Sequence, residues 1–340
     1  MASKVRYGII SVGGWARGVH IPNLNEIGDA EITALCSRSE ENLKAGADLC
    51  EGAPATYTDH REMLEAGDVD VAVICSPNHM HAALAIDALE AGKHVLCEKP
   101  MGFSVADCDR VIEAVERAGV QFGIGLELRY SRFFNRAKEL IHEGRIGQPR
   151  MAWSAHHRGP TLKTKWRGKK EISGGPLFDI GIHYSDMLPF LLDANPVQVS
   201  AAAAAFDDDG IWDCCEAVIT LENGAICNYR QTLMCKTGLD TAVYVLGSEG
   251  YLHANMSRRQ IVVASTQDAD AQPLVLDLPP GGPVHGFDGS LEQLQTFTEC
   301  VRTGAGPPVG ADVGRRTVAL CVAMETSIAE HRVVALDELG

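Results

Sequence analysis

Val5-Arg6-Tyr7-Gly8-Ile9-Ile10-Ser11-Val12-Gly13-Gly14-Trp15-Ala16 is an apolar run that breaks at paired glycines and leads into a helix-like stretch. A short continuous apolar run reads as a strand buried on both faces, and the glycines mark the turn after it. A dinucleotide-binding fold places its pyrophosphate loop at such a strand–turn–helix junction, with backbone N–H groups and the helix N-terminus facing the phosphates. The G-x-G-x-x-G spacing is not kept, because Ser11 stands at the first glycine position and Ala16 at the last. Placement at the first strand–helix junction therefore carries more weight than the motif.

Outward from this stretch, Glu31–Ser37, Val69–Ser76 and His94–Glu98 are further apolar runs, separated by helix-like segments such as Asn78–Ala91 and Ser104–Ala118. The alternation predicts a doubly wound parallel sheet, a Rossmann domain over residues 1–123, whose ligands bind at the carboxyl ends of the strands. The pattern then changes. A helix is expected from near Tyr130 to His142, and Met151–Arg158, Val197–Phe206, Cys214–Leu221 and Ala225–Thr232 look extended. Asn223-Gly224 is a tight-hairpin signal, and the Gly247–Gly250 stretch reads as another turn. Residues 124–340 are accordingly expected to form an α+β domain with a mostly antiparallel sheet, closed by a helix from about Ala311 to Glu330.

Three groups of residues carry chemistry. The second strand ends Cys36-Ser37-Arg38-Ser39, where an NAD-selective site usually places an Asp or Glu for the ribose 2′-OH. Ser37 removes that carboxylate and Arg38 suits a 2′-phosphate, which favours NADP over NAD; Arg38 as a solvated charge is the plainer alternative. Ser76-Pro77-Asn78-His79-Met80-His81 and Glu98-Lys99-Pro100 follow two strands and should point into the ligand crevice. Lysine changes protonation readily, so Lys99 suits an alcohol or alkoxide partner. Finally, in Gly174-Gly175-Pro176-Leu177-Phe178-Asp179-Ile180-Gly181-Ile182-His183 the spacing puts Asp179 and His183 on one helical face. A histidine there can take a hydroxyl proton, with the carboxylate orienting it. The two could equally be a structural pair or half a metal site, but no third ligand stands at suitable spacing and no metal is expected.

In this order along one chain, Ser76-Pro77-Asn78-His79, Glu98-Lys99-Pro100 and the Gly174–His183 segment resemble the Gfo/Idh/MocA oxidoreductases, named for glucose–fructose oxidoreductase and inositol dehydrogenase. The resemblance spans essentially the whole chain. It implies an open-faced second sheet, a homodimer or homotetramer, and hydride transfer between nicotinamide and a hydroxyl or keto carbon of a sugar, sugar derivative or cyclitol. It makes Lys99 and His183 the catalytic pair, assisted by Asp179. It places Gly13, Gly14 and Trp15 at the pyrophosphate, and Ser76, Pro77, Asn78, His81, Glu98 and Lys99 around the rest of the cofactor. Arg129, His157 and Trp166 become candidate substrate contacts beside Asp179 and His183. The basic run Lys163–Lys170 is either a solvated loop or an entry for an acidic or nucleotide-linked sugar.

Composition narrows the alternatives. With 340 residues, 46% hydrophobic and 22% charged, the chain has room for two ordinary globular domains. A net charge of −15 opposes nucleic acid or an anionic membrane as partner. Eleven unpatterned cysteines and no apolar signal core suit a cytoplasmic protein. Two rivals remain: a redox-neutral glycosidase or lyase using tightly bound NAD, and a non-catalytic dinucleotide-sensing protein. The intact Lys99, Asp179 and His183 count against the second.

Overall fold

The computed structural model describes residues 3–66, 68–159, 165–206, 211–236, 240–267, 272–279 and 285–340. The chain runs through β1 (Val5–Ile10), α1 (Ile21–Asn25), β2 (Ala30–Cys36), α2 (Glu40–Ala47), β3 (Ala55–Tyr57), α3 (His60–Glu65) and β4 (Val71–Ile74). It continues with α4 (His81–Glu90), β5 (His94–Glu98), α5 (Val105–Ala118), β6 (Phe122–Gly125), α6 (Arg132–His142), β7 (Pro149–His157), α7 (Lys170–Ser173) and α8 (Ile182–Leu192). Strands β8 (Pro196–Ala204), β9 (Cys214–Leu221), β10 (Ile226–Thr232), β11 (Asp240–Gly247), β12 (Gly250–Asn255), β13 (Gln260–Ser265) and β14 (Leu274–Asp277) follow. The last elements are α9 (Ser290–Thr303), α10 (Ala311–Glu330) and β15 (Val334–Ala335).

Contacts divide the chain into two compact units, residues 1–130 with 282–316, and residues 131–281 with 317–340. The boundary thus falls at 130/131 rather than the expected 123/124, and a second segment returns to the first unit. The reason is α9, which the sequence patterns did not single out. Its Leu294 and Phe297 are fully buried in one core with Tyr7, Ile9, Val71 and Leu96. Phe297 also fills the space over Gly123, where a Cβ would come within 2.9 Å of its ring.

The first unit is a six-stranded sheet in the order β3-β2-β1-β4-β5-β6, and every pairing in it is parallel. β4 and β6 are buried at every position, as strands covered on both faces must be. The order reverses between β1 and β4, so the ligand crevice of such a sheet lies outside their carboxyl ends. Local chemistry sets the helix limits. Ser104 Oγ caps α5 by accepting the Asp107 N–H at 3.0 Å, and Gly119, at φ 65°, stops it in the left-handed region.

The second unit carries a sheet whose described strands run β14-β13-β12-β11-β7-β10-β9-β8-β15. All its pairings are antiparallel except β7 with β10, which run parallel. The expected Asn223-Gly224 turn joins β9 to β10, with Gly224 at φ 82°. Along β7 the side chains alternate. Ala152, Ser154 and His156 are buried, and Ser154 Oγ donates to the Tyr184 carbonyl of α8 at 3.3 Å. On the opposite face Trp153 stacks on Tyr244 at 4.8 Å, and Tyr244 on His253 at 3.9 Å. No described helix is long and apolar enough to cross a membrane.

Candidate functional site

Ser11, directly after β1, adopts φ 71°, the left-handed conformation that a glycine at this position would take without strain. The chain then tightens, Gly13 N–H donating to the Ser11 carbonyl at 2.8 Å and Arg17 N–H to the Gly13 carbonyl at 3.1 Å. A Cβ built on Gly13 or Gly14 would meet nothing within 4 Å. The protein's own packing therefore does not require glycine here, whereas close approach of a pyrophosphate to the backbone does. The loop fits a dinucleotide on this observation. At the end of β2, Ser37 Oγ accepts the Ser39 N–H at 3.3 Å, and Arg38 is exposed and makes no ion pair with a described carboxylate. Neither position repels a 2′-phosphate.

At the end of β5 a network of charge surrounds Glu98. Its Oε1 accepts the Trp15 indole N–H at 2.7 Å and lies 2.8 Å from His20 Nε2. Burial works to raise the Glu98 pKa, but His20, Lys99 and Trp15 overcome it and lower the value. Burial alone would strip the proton from His20, yet Cys75 and Glu98 beside it raise its pKa. Since burial keeps the Cys75 thiol protonated, Glu98 is the charge that holds the His20 proton. The indole of Trp15, 5.8 Å from the Phe287 ring, is thus tied to the strand that carries Lys99. Glu98 serves as an anchor in this network, between the glycine loop and the Lys99 turn.

His81 is also an anchor. It is fully buried, with Nδ1 2.7 Å from the Pro100 carbonyl and Nε2 2.8 Å from the Ser76 carbonyl. Burial lowers its pKa against the pull of both carbonyls, so the ring is neutral and donates to one of them at a time. It pins the Ser76-Pro77-Asn78 turn, where Ser76 and Asn78 are buried, to the Lys99-Pro100 turn. Lys99 itself is half-buried, as is Arg129 in the turn Glu127–Tyr130 that follows β6.

In the second unit, Gly174 and Gly175 sit at φ 78° and 84°, and the Gly175 N–H donates to Ser173 Oγ at 3.0 Å. The chain then widens into a π-helical turn, Leu177–Gly181, that runs directly into α8. Gly181 packs closely there: a Cβ would press on the Tyr229 hydroxyl and Gln231 Oε1 of β10 and push these buried side chains aside. The turn buries Asp179 and α8 buries His183, at 4% and 2% exposure. Arg167 Nε lies 3.5 Å from Asp179 Oδ2, and its guanidinium sits 5.5 Å from the centre of the Trp166 ring. His183 meets the edge of Tyr184, which stacks at 3.8 Å on His156.

The structure therefore gathers Trp15, Glu98 and Lys99 in one unit, and Asp179, Trp166 and His183 around a single helical turn and its approach in the other. It does not bring His157 to the Tyr184 face. His156 occupies that face, and alternation sends His157 to the side of Trp153. Residues 160–164 lie outside the described residues, so of the basic run only Lys165 to Lys170 is placed. His20 and Glu127 escaped the sequence patterns, since each stands alone in the sequence and gains its neighbours only through the fold. Among the described residues no cluster of three or more His, Cys, Asp or Glu is gathered in a metal-binding arrangement.

A dinucleotide crevice with a lysine at a neighbouring strand end, followed by a domain built on a second, open sheet, defines a nicotinamide-dependent oxidoreductase. Residues 5–126 match the model of an oxidoreductase family with an NAD-binding Rossmann fold, and residues 134–253 that of the GFO/IDH/MocA C-terminal domain. The chain belongs to the Gfo/Idh/MocA family. It is 29% identical to a myo-inositol 2-dehydrogenase of Thermotoga maritima, over 98% of this chain and 99% of that protein. It is likewise 29% identical to a 1,5-anhydro-D-fructose reductase of Ensifer adhaerens, over 89% of this chain and 90% of that one. A crystal structure of a probable dehydrogenase from Thermotoga maritima superposes with a TM-score of 0.84 at 28% identity, covering 99% of this chain and 100% of that one.

Proposed function

We propose that the protein transfers a hydride between NADP and a hydroxyl-bearing or keto carbon of a sugar, sugar derivative or cyclitol, with Lys99 and His183 as the catalytic pair. The observation that carries this is the Lys99 turn. It ends β5, is pinned by His81, and is joined through Glu98 to a glycine loop shaped for a pyrophosphate. Relatives whose names specify a cyclitol and an anhydro sugar support the substrate class. Bound nicotinamide supplies the hydride chemistry. In the oxidising direction His183 takes the hydroxyl proton, Lys99 stabilises the developing alkoxide, and Asp179 orients the substrate or His183. Arg129 and Trp166 are the proposed substrate contacts; His157, on the far face of its sheet, is a weaker candidate. Exposed Arg38 pairs with the 2′-phosphate of NADP. A homodimer or homotetramer is the proposed assembly.

The test is nicotinamide absorbance with purified protein, offering NADP or NAD against free sugars, sugar acids, inositols and nucleotide-sugars. Turnover with one class is the expected result. A retained dinucleotide with product formed and no net absorbance change would instead identify the redox-neutral reaction. Tight dinucleotide binding with no chemistry on any class would favour a sensor.

A further inference from the structure

The turn that carries Trp166 and Arg167 is fastened by its backbone. The Lys169 N–H donates to the Trp166 carbonyl at 3.1 Å, and Ser173 Oγ donates to the Arg167 carbonyl at 2.9 Å. Next along the chain, Lys170 Nζ donates to Glu325 Oε2 at 2.7 Å, which ties α7 to α10. The Arg167 side chain is therefore delivered from a fixed base. Its Nε lies 3.5 Å from Asp179 Oδ2, and its guanidinium sits 5.5 Å from the centre of the Trp166 ring.

The two partners of this ion pair differ in exposure: the Asp179 side chain is 6% exposed and the Arg167 side chain 38%. The pair engages Nε, and no described residue takes a hydrogen bond from the two terminal nitrogens. An arginine present only to balance Asp179 would close on it with two short parallel bonds, whereas this contact is longer than an ordinary N–H···O bond. A guanidinium is a planar fork of fixed donors. With Nε turned to Asp179, its terminal N–H groups remain to receive a second oxyanion side by side.

Local charge points the same way. On a chain of net charge −15, the stretch Lys165–Lys170 carries four cations and no acid. Glu325 neutralises Lys170, while Lys165 and Lys169 are exposed. A merely solvated loop needs neither the bond from Ser173 nor an arginine laid against the buried aspartate of the wide turn.

We propose that the sugar substrate bears an oxyanion, held by the terminal nitrogens of Arg167 while Trp166 packs on the sugar ring. This contact rests on the hydride-transfer function proposed above and narrows its substrate to an acidic sugar. A carboxylate and a phosphate share the chemistry that the fork reads.

The test pairs aldonic acids, uronic acids and sugar phosphates with neutral sugars of the same stereochemistry, offered with NADP to wild type, Arg167→Met and Arg167→Lys. Wild-type kcat/KM should be at least about tenfold higher for the charged member of a pair. The Met variant should lose about 10- to 100-fold on that member and leave the neutral sugar nearly unchanged. The Lys variant, a point charge without the fork, should fall between. Preference for the acids identifies a carboxylate, and preference for the phosphates a phosphate. Equal losses on both members would show that Arg167 only positions Asp179, and they overturn the proposal, as does a wild type that prefers the neutral sugars. A second arm titrates the same ligands calorimetrically with NADPH bound, which cannot oxidise an alcohol. Wild type should bind the charged member about tenfold more tightly, and the Met variant should lose the difference. No difference in wild type overturns the proposal. Arg167-dependent binding without turnover supports the contact and overturns the hydride-transfer function instead.

Discussion

The two units hold their functional groups by different means. In the first the means is charge: Glu98 receives Trp15 and His20, and Lys99 helps to hold its charge. In the second it is shape: the wide turn carrying Asp179 presses Gly181 against Tyr229 and Gln231, and Tyr184 of α8 stacks on His156. Burial keeps His156 neutral, with a pKa pushed down to about 3. A charge network fails when one member is removed and its partner is left buried. A packed turn fails when volume is added or a shelf is taken away. The contrast predicts which substitutions each unit tolerates.

The largest effect tests the charged side of the contrast at its proposed reacting group. Lys99→Ala should lower turnover by about 10²- to 10⁴-fold while dinucleotide binding, measured by fluorescence titration, stays intact. Near-normal turnover would remove Lys99 from the chemistry. Next in size is His20→Ala, which takes from the buried Glu98 carboxylate its hydrogen-bonded cation and should cost about 3 to 5 kcal/mol of stability by urea denaturation. The cost has a pH window. The raised His20 pKa makes its contribution full below the ordinary histidine value of about 6.5 and lost as pH rises through the folded value. The lowered Glu98 pKa makes its share fade as pH falls below the ordinary carboxyl range. Equal loss at pH 6 and pH 10 would show that His20 contributes volume rather than charge.

The same contrast explains what was legible before any coordinates. Continuous apolar runs at Val5–Ile10 and Val71–Ile74 announce strands buried on both faces, so the parallel sheet and its glycine loop could be read directly. Lys99, Asp179 and His183 were visible because each sits in a short, ordered motif. His20 and Glu127 were not. One follows Trp15 by five residues inside a helical stretch, the other follows β6 by two, and alone each looks like an ordinary polar side chain. Their meaning comes from strands adjacent in the sheet but distant in sequence, as with Glu98 opposite Gly125. The His156-His157 pair was visible, yet which ring faces α8 depends on the register of β7, which a strand's composition does not encode.

A smaller effect is expected from Arg38→Ala. An exposed arginine that pairs with a 2′-phosphate contributes a charge-assisted bond of about 1.5 to 3 kcal/mol, so kcat/KM with NADP should fall by about 10- to 100-fold. The value with NAD should hold. This sharpens the contrast, because Arg38 belongs to the first unit but lies outside its buried network, and its loss should leave the urea midpoint unchanged. An equal fall with both dinucleotides would mean that Arg38 supports the loop and does not read the phosphate.

The smallest effect falls on His157, one residue from a ring that the fold depends on. His156 stacks on Tyr184 and bonds Thr241 Oγ1 at 2.9 Å, whereas His157 leaves β7 on the face of Trp153. Substitutions away from caps, cores and networks stay within about 0.5 kcal/mol of stability, so His157→Ala should leave the urea midpoint nearly unchanged, and, with its ring on the face opposite Tyr184, it should change kcat/KM by less than about threefold. His156→Ala, by contrast, should lower stability through the lost stack and the cavity beneath Tyr184. If His157→Ala instead raises KM tenfold, the substrate reaches the far face of the sheet. The second unit would then bind with residues outside the packed turn, and shape alone would no longer describe how it holds its site.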